Sequence, residues 1–379
     1  MMDVKKICII TAARSEYGLL RWVIDEVYHD EALDLQLVVT GAHLSMKHGM
    51  TVRFIEEDGY PIAARLDMDL SSESRMDIIR SMGNCSIGLA NSLVSLHPDL
   101  VVVLGDRYEL IPIVSACLVA SIPVAHISGG DVTEGAIDNE IRNAVSMMST
   151  LHFPGIESSA ANLRRMLGKD KNIFTVGEPG LESFLRFDLM SRDELAESLH
   201  LDKDKGWCLL TLHPETKISV DENVAMARNL LRVISSTHGI QYIISKANAD
   251  LGGVQINHFW EEAVSKNDSS FRLVSSLGQR RYLSYMHQAI GVLGNSSSGI
   301  VEAPFLGIPV VNIGNRQQGR HLCKNVIQCG RSFDEIQVAV NTMLEQPKMV
   351  DTYFGDGHTA SKIVAQIKYY FDEKQGNRR

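Results

Sequence analysis

Short runs that are apolar on both faces recur along this chain, each followed by a polar loop and then by a stretch with helical spacing. Ile7 to Thr11, Leu35 to Thr40, Ala63 to Met68, Leu100 to Leu104 and Pro123 to Ile127 read as strands. Tyr17 to Tyr28 and Met76 to Leu96 read as helices between them. Strands without polar alternation are buried on both sides, which predicts a parallel sheet covered by helices on each face. After Val176-Gly177-Glu178-Pro179-Gly180 the pattern changes to a charged helical stretch, Arg192 to Lys205. Alternation then resumes with strands at Trp207 to Leu212, Gln241 to Ser245, Phe271 to Val274, Ile290 to Leu293 and Ile308 to Ile313. A last amphipathic helix is expected at Ala360 to Phe371. The expected architecture is α/β, with two doubly wound Rossmann-type domains facing each other across a cleft. Residues 1–180 form the first, 181–205 the connection and 206–379 the second.

The stretch 290–304 carries the sharpest local signal. An apolar strand ends in Gly294-Asn295, and Ser296-Ser297-Ser298-Gly299 opens a helix. The first peptide N–H groups of a helix lack internal partners and sit at the positive end of its dipole. Small hydroxyl residues cap them and leave room for an anion, so this turn is a phosphate seat. Glu302, one turn further in, can accept two vicinal ribose hydroxyls. The alternative is an ordinary capped helix.

A length of 379 residues fits two domains, and 45% hydrophobic with 22% charged residues describes a globular protein. The net charge of −9 argues against nucleic acid or an anionic membrane as the main partner, so a phosphate ligand must be drawn in by local arginines. The six cysteines show no CxxC spacing and read as buried thiols of a reducing compartment. No apolar stretch approaches a signal peptide or a membrane span, so a cytoplasmic location is expected.

Arg14, Arg107 and Arg316 fall in loops after strands, where open α/β sheets bind ligands. Their planar forks suit a diphosphate. Asp106 ends one strand, and Asp131, Glu134 and Asp138 follow the next. Neighbouring carboxylates in a shielded cleft raise one another's pKa and suit general acid/base work, although each could equally cap a helix. The absence of a matching His or Asp cluster speaks against a metal site. His213, after the first strand of the second domain, can donate to phosphate or move a proton; His126, inside an apolar strand, reads as core or supporting. Asn248 and Asp250 lie in a glycine-rich loop, and Tyr282 is placed to stack on a base or to fill the core.

With these residues in view, the chain resembles the hydrolysing UDP-N-acetylglucosamine 2-epimerases of sialic acid biosynthesis. The matching segments are T-A-A-R-S-E-Y-G near the start, L-G-D-R-Y-E at 104–109, and H-I-S-G-G-D-V-T-E-G with I-D-N-E-I-R at 126–142. L-H-P-E-T at 212–216, N-A-D-L-G-G at 248–253, G-N-S-S-S-G-I-V-E-A-P at 294–304 and N-I-G-N-R-Q-Q-G-R at 312–320 follow in order. The resemblance implies a GT-B-like fold. It also implies that Arg14, Arg107, His213, Asn248, Leu277, Ser296, Ser297, Glu302 and Arg316 hold UDP, with Tyr282 near the uracil. Asp106, Asp131, Glu134, Asp138 and His213 are then the catalytic set, working with water and with no metal or other cofactor. An assembly of two or four copies is expected.

Two departures stand out. Ala12-Ala13-Arg14 replaces the Gly-Thr/Ser-Arg of many relatives, and Ser128 and Asp131 stand where relatives often carry a His or Glu and then a Glu. Asp131 and Glu134 therefore both stay open for the work of the family's glutamate. The expected reaction converts UDP-N-acetylglucosamine and water to N-acetylmannosamine and UDP. The alternatives are the related hydrolysing 2-epimerase of UDP- or GDP-linked N,N'-diacetylbacillosamine on the route to legionaminic acid, a non-catalytic UDP-sugar-binding protein, and a GT-B glycosyltransferase.

Overall fold

The computed structural model describes residues 4–376, apart from 71, 73, 133–136, 249, 251 and 267–269. The chain divides into two compact units. The first alternates β1 (Lys5–Thr11), α1 (Arg14–His29), β2 (Leu33–Thr40), α2 (Val52–Glu57), β3 (Ile62–Leu66), α3 (Arg75–Leu96), β4 (Leu100–Leu104), α4 (Leu110–Val119), β5 (Val124–Ile127), α5 (Asp138–Met147), β6 (Leu151–Phe153) and α6 (Glu157–Leu167). The second runs through α7 (Ser183–Arg186), α8 (Arg192–Leu199), β7 (Gly206–Thr211), α9 (Val220–Ser235), β8 (Ile240–Ser245), α10 (Gly253–Lys266) and β9 (Phe271–Val274). It continues with α11 (Gln279–Gln288), β10 (Gly291–Gly294), α12 (Ser297–Phe305), β11 (Val310–Ile313), β12 (Val326–Cys329) and α13 (Phe333–Glu345). The final helix is α14 (Thr359–Gly376).

Every strand pairing is parallel, and the sheet orders are β3-β2-β1-β4-β5-β6 and β12-β11-β10-β7-β8-β9. Renumbered within its own unit, the second order is the first read backwards, so both sheets have the order of a dinucleotide-binding fold. The continuous apolar strands explain this. Alternate residues of β1 serve opposite cores: Ile7 and Ile9 pack with α1, and Cys8 and Ile10 with α3 and α4. β7 divides in the same way, Cys208 and Leu210 towards α9, α10 and α13, and Trp207 and Leu209 towards α8 and α11. Helix starts follow from local chemistry: Ser191/Glu194, Ser219/Glu222 and Ser332/Glu335 form reciprocal capping boxes.

Two expectations are corrected. Residues 206–379 do not form one domain: Gly355–Arg379 belong with Met1–Glu182, and Ser183–Phe354 form the second unit. The cause is packing, since Ala360, Ile363, Val364, Ile367, Tyr370 and Phe371 of α14 enter the same core as Leu20, Val23 and Val27 of α1. Each of the larger side chains contributes about 1.5–3 kcal/mol by leaving water. The buried Glu182 accepts the Ala360 N–H at 2.7 Å and fixes where α14 begins. Nor is 181–205 a separate connection, because Leu195 and Leu199 of α8 are core residues of the second unit. β6 and β12 are strands that the sequence pattern did not signal.

Candidate active site

In a sheet of this order the direction in which strands are added reverses between the first and fourth strands, and a crevice opens at their carboxyl ends. In the first unit that point lies between β1 and β4. Arg14 is not in a loop as expected but is the first residue of α1; it is exposed and lies 4.3 Å from the Phe54 ring centre. Arg107 follows β4 and is ion-paired at 2.9 Å to Glu109, whose side chain is fully buried.

Asp106, the residue before, is ion-paired to Arg142, a buried arginine on α5. The other end of that guanidinium donates to the main-chain carbonyl of Asp131 at 2.9 Å. Arg142 therefore ties the end of β4 to the loop after β5. The Asp131 carboxylate accepts Ser159 Oγ of α6 at 2.5 Å. Its neighbour Gly130 has φ +84°, and a Cβ there would lie 2.2 Å from the Ser159 carbonyl oxygen, so only glycine permits this approach. The expected cluster of mutually repelling carboxylates is thus corrected: Asp106 is paired to an arginine and Asp131 is engaged by a hydroxyl. Asp138 opens α5 and is partly exposed; Glu134 lies outside the described residues.

His126 is buried, with Nε2 2.8 Å from the Gly105 carbonyl and Nδ1 2.9 Å from Ser146 Oγ. A carbonyl can only accept, so Nε2 carries the proton. Burial pulls the imidazole down to about 4 and keeps it neutral. His126 is a brace beside Asp106, as its place in an apolar strand suggested. Because Arg142 orients the acids through a fork, Arg142→Lys keeps the charge but loses one of the two anchors. Its kcat is expected to fall on the order of 10²-fold with KM little changed, which initial-rate kinetics will read. An unchanged kcat would show that the brace does not matter.

In the second unit the reversal lies between β7 and β10. Asn295, fully buried, clamps the two strand ends: its Oδ1 accepts the His213 N–H at 2.7 Å and its Nδ2 donates to the His213 carbonyl at 2.9 Å. Ser296 caps α12 as expected, accepting from Ser298 N, and Ser297 is exposed at the helix start. Arg316 Nη1 donates to the Asn295 carbonyl at 3.2 Å, which places its guanidinium beside this turn. His213 Nδ1 accepts the Asn248 N–H at 3.1 Å, so the proton sits on Nε2 and that atom is a donor. Burial, and then the Arg316 charge, hold His213 at about 4, hence neutral at neutral pH.

Burial also pushes Glu302 up to about 7. Tyr282 on α11 is raised by burial and by the Glu302 charge. Leu277 is buried in the apolar core that Tyr282 packs against. The Asn248 side chain donates to Asp250 at 2.6 Å. The structure thus gathers His213, Asn248, Ser296 and Arg316 around the end of β7 and the start of α12.

Sequence reasoning missed Glu215. Its buried carboxylate pairs with Arg331 at 2.5 Å and accepts the Asn315 N–H at 2.9 Å, holding the turn that presents Arg316. A buried acid two residues after a strand-end histidine was the available signal. Among the described residues, no group of three or more His, Cys, Asp or Glu is arranged to hold a metal ion. No helix among them is long and apolar enough to cross a membrane.

The family model described as UDP-N-acetylglucosamine 2-epimerase matches residues 25–368. The chain belongs to that family. It is a nucleotide-sugar 2-epimerase, similar to members described as hydrolysing. It is 36% identical to the GDP/UDP-N,N'-diacetylbacillosamine 2-epimerase (hydrolysing) of Campylobacter jejuni, over 86% of this chain and 84% of that one. It is 32% identical to the UDP-N,N'-diacetylbacillosamine 2-epimerase (hydrolysing) of Legionella pneumophila, over 96% of each. Identity to the UDP-N-acetylglucosamine 2-epimerase of Neisseria meningitidis is 27%, over 96% of this chain and 94% of that one. In fold it matches the crystal structure of UDP-GlcNAc 2-epimerase from Neisseria meningitidis with a TM-score of 0.78, covering 96% of this chain and 100% of that one at 16% identity. The two parallel six-stranded sheets are those of this GT-B-like fold.

Proposed function

We propose that this epimerase hydrolyses a nucleotide-linked N,N'-diacetylbacillosamine, a 2,4-diacetamido-2,4,6-trideoxy sugar, and inverts its carbon 2. The observation that carries this reading is the identity of 36% and 32% to two relatives of that description, against 27% to the N-acetylglucosamine enzyme of Neisseria meningitidis. It displaces the conversion of UDP-N-acetylglucosamine to N-acetylmannosamine, expected first from the sequence, which becomes the second reading.

In this reading the proton on carbon 2 and the nucleoside diphosphate on carbon 1 are lost together, leaving a glycal. Water then adds at carbon 1, and a proton returns to the opposite face of carbon 2. Proton traffic on two faces needs at least two acid/base groups. Asp106 and Asp138 take that work, with Asp131, held by Ser159, in support. Glu134 is a further candidate. The α12 turn with Ser296 and Ser297, the His213 Nε2 donor and the guanidinium groups of Arg14, Arg107 and Arg316 take the departing diphosphate. Glu302 and Asn248 take the ribose end, with Leu277 and Tyr282 near the base.

Incubating the purified protein separately with the two UDP-sugars in deuterated water, and following each by NMR, tests this. The diacetamido sugar is expected to be released from UDP as its 2-epimer with one deuterium on carbon 2, at a kcat/KM at least tenfold above that of UDP-N-acetylglucosamine. Faster turnover of the latter would select the second reading. Full retention of the substrate proton would rule out elimination.

A further inference from the structure

Two buried carboxyl groups beside Arg107 are not used by the chemistry above. Glu16 on α1 is 4% exposed and Glu109 is 0% exposed. Glu16 Oε2 accepts the Ala12 N–H at 2.6 Å. Glu109 Oε1 takes Arg107 through Nη2 at 2.9 Å and Nε at 3.3 Å. The second oxygen of each, Glu16 Oε1 and Glu109 Oε2, is buried with no hydrogen-bond partner among the described residues. An ionised carboxylate in such a place is costly unless a counter-charge stays close. The guanidinium of Arg107 supplies that charge to both: it is bonded to Glu109, and Glu16 lies within reach of the charges of both. Yet the Arg107 side chain is 41% exposed and so can also meet a ligand from the solvent side.

We propose that Glu16 and Glu109 form a carboxyl pair that holds Arg107 in readiness and takes up one proton when an anionic ligand engages that arginine. Binding of a nucleoside diphosphate is then linked to proton uptake by the protein. This rests on the proposed function only in that Arg107 meets the diphosphate. The physical cause is charge balance. Two carboxylates and one guanidinium sum to one negative charge, and a diphosphate that draws on the same guanidinium leaves the pair short of positive charge. The group that yields is Glu16, which burial, reinforced by the charge of Glu109, already raises to about 7 against the pull of the Ala12 N–H and Arg107.

The other groups facing the pair do not titrate near that point. His43, on the turn after β2, is lowered to about 4 by burial and stays neutral. Cys85 of α3 is raised to about 11 by burial and the Glu109 charge and stays a thiol. Arg107 itself is held above its ordinary value by Glu109 and Glu16, against the effect of burial. Tyr108 also lies within electrostatic reach of Arg107. At pH 8 Glu16 is mostly ionised in the free protein, so a ligand-induced rise is read as nearly a whole proton. Uptake on binding means that affinity falls as pH rises through the bound-state value.

Calorimetry of UDP binding to the full chain at pH 8, in Tris and in HEPPS, whose heats of ionisation differ, reads the proton directly. The wild type is expected to take up close to one proton, and its Kd for UDP to rise by up to about tenfold per pH unit between pH 8 and 9. Glu16→Gln, whose amide oxygen can still accept the Ala12 N–H, is expected to lose the uptake and flatten the pH dependence. Glu109→Gln removes the other half of the pair and is expected to reduce both. Equal heats in the two buffers while UDP binds would overturn the linkage alone. So would uptake that persists unchanged in both variants. Failure of both UDP and GDP to bind the wild type at millimolar concentration would overturn both the linkage and the proposed function.

Discussion

Asp106→Asn is expected to lower kcat by about 10²–10⁴-fold while the protein still binds UDP, as removal of a general acid or base does. The residue lies in the loop just after β4, where the strand order of the first unit reverses, and is held by Arg142, so its position is defined before any substrate arrives. Asparagine has nearly the same shape, which leaves the loop path intact and removes the proton-carrying group. It also leaves the buried Arg142 without its counter-charge, so some stability is lost, and a thermal melt beside the kinetics separates the two effects. Asp138→Asn, at the start of α5, is expected to behave in the same way. The assignment fails if either variant loses UDP affinity and keeps wild-type turnover at saturating substrate.

Gly294→Ala is expected to be the most damaging single-methyl change in the second unit. Gly294 ends β10 with φ +122°, and a Cβ there would lie 2.0 Å from the Thr211 carbonyl oxygen and 2.6 Å from its carbon. Both obstacles are backbone of β7, which is hydrogen-bonded into the middle of the sheet and cannot give way cheaply. The combined strain and overlap are expected to cost about 2–4 kcal/mol. Relief of that overlap would shift Asn295 and the start of α12 away from His213. UDP affinity is therefore expected to drop at least tenfold together with a lower Tm. A variant with wild-type Tm and affinity would show that the two strand ends are not locked together as described.

What could be read in advance follows from how local each cause is. β4, β7 and residues 7–11 of β1 are runs whose every residue is buried or nearly so, and their apolar letters alone reveal them. The α12 turn was legible because its glycine, asparagine and serines are consecutive and cap a helix by short-range bonds. β6 is three residues long with His152 at its centre, and β12 is a partly exposed edge carrying Gln328, so neither has a pattern to find. The partner of α14 was illegible for another reason: an amphipathic helix shows that it has an apolar side, not which core takes it. Likewise the acids after β4 and β5 were found as candidates, but their state depends on Arg142 and Ser159, which come from helices well downstream. Glu16 and Glu109 sat inside recognisable motifs, yet nothing in their spacing announces that both are buried around one arginine.

The return of α14 to the first unit sets an order of events during synthesis. A ribosome makes the first unit's sheet before any of the second unit, and α14 only after the whole of it. Ser183–Phe354 is continuous and can close its own core as soon as it emerges, following the tendency of domains to fold as units on the nascent chain. The first unit cannot, because the side of α1 that α14 covers stays bare until the last helix arrives. The unit begun earlier is thus finished later, and it is that uncovered apolar side that a chaperone would meet on the growing chain.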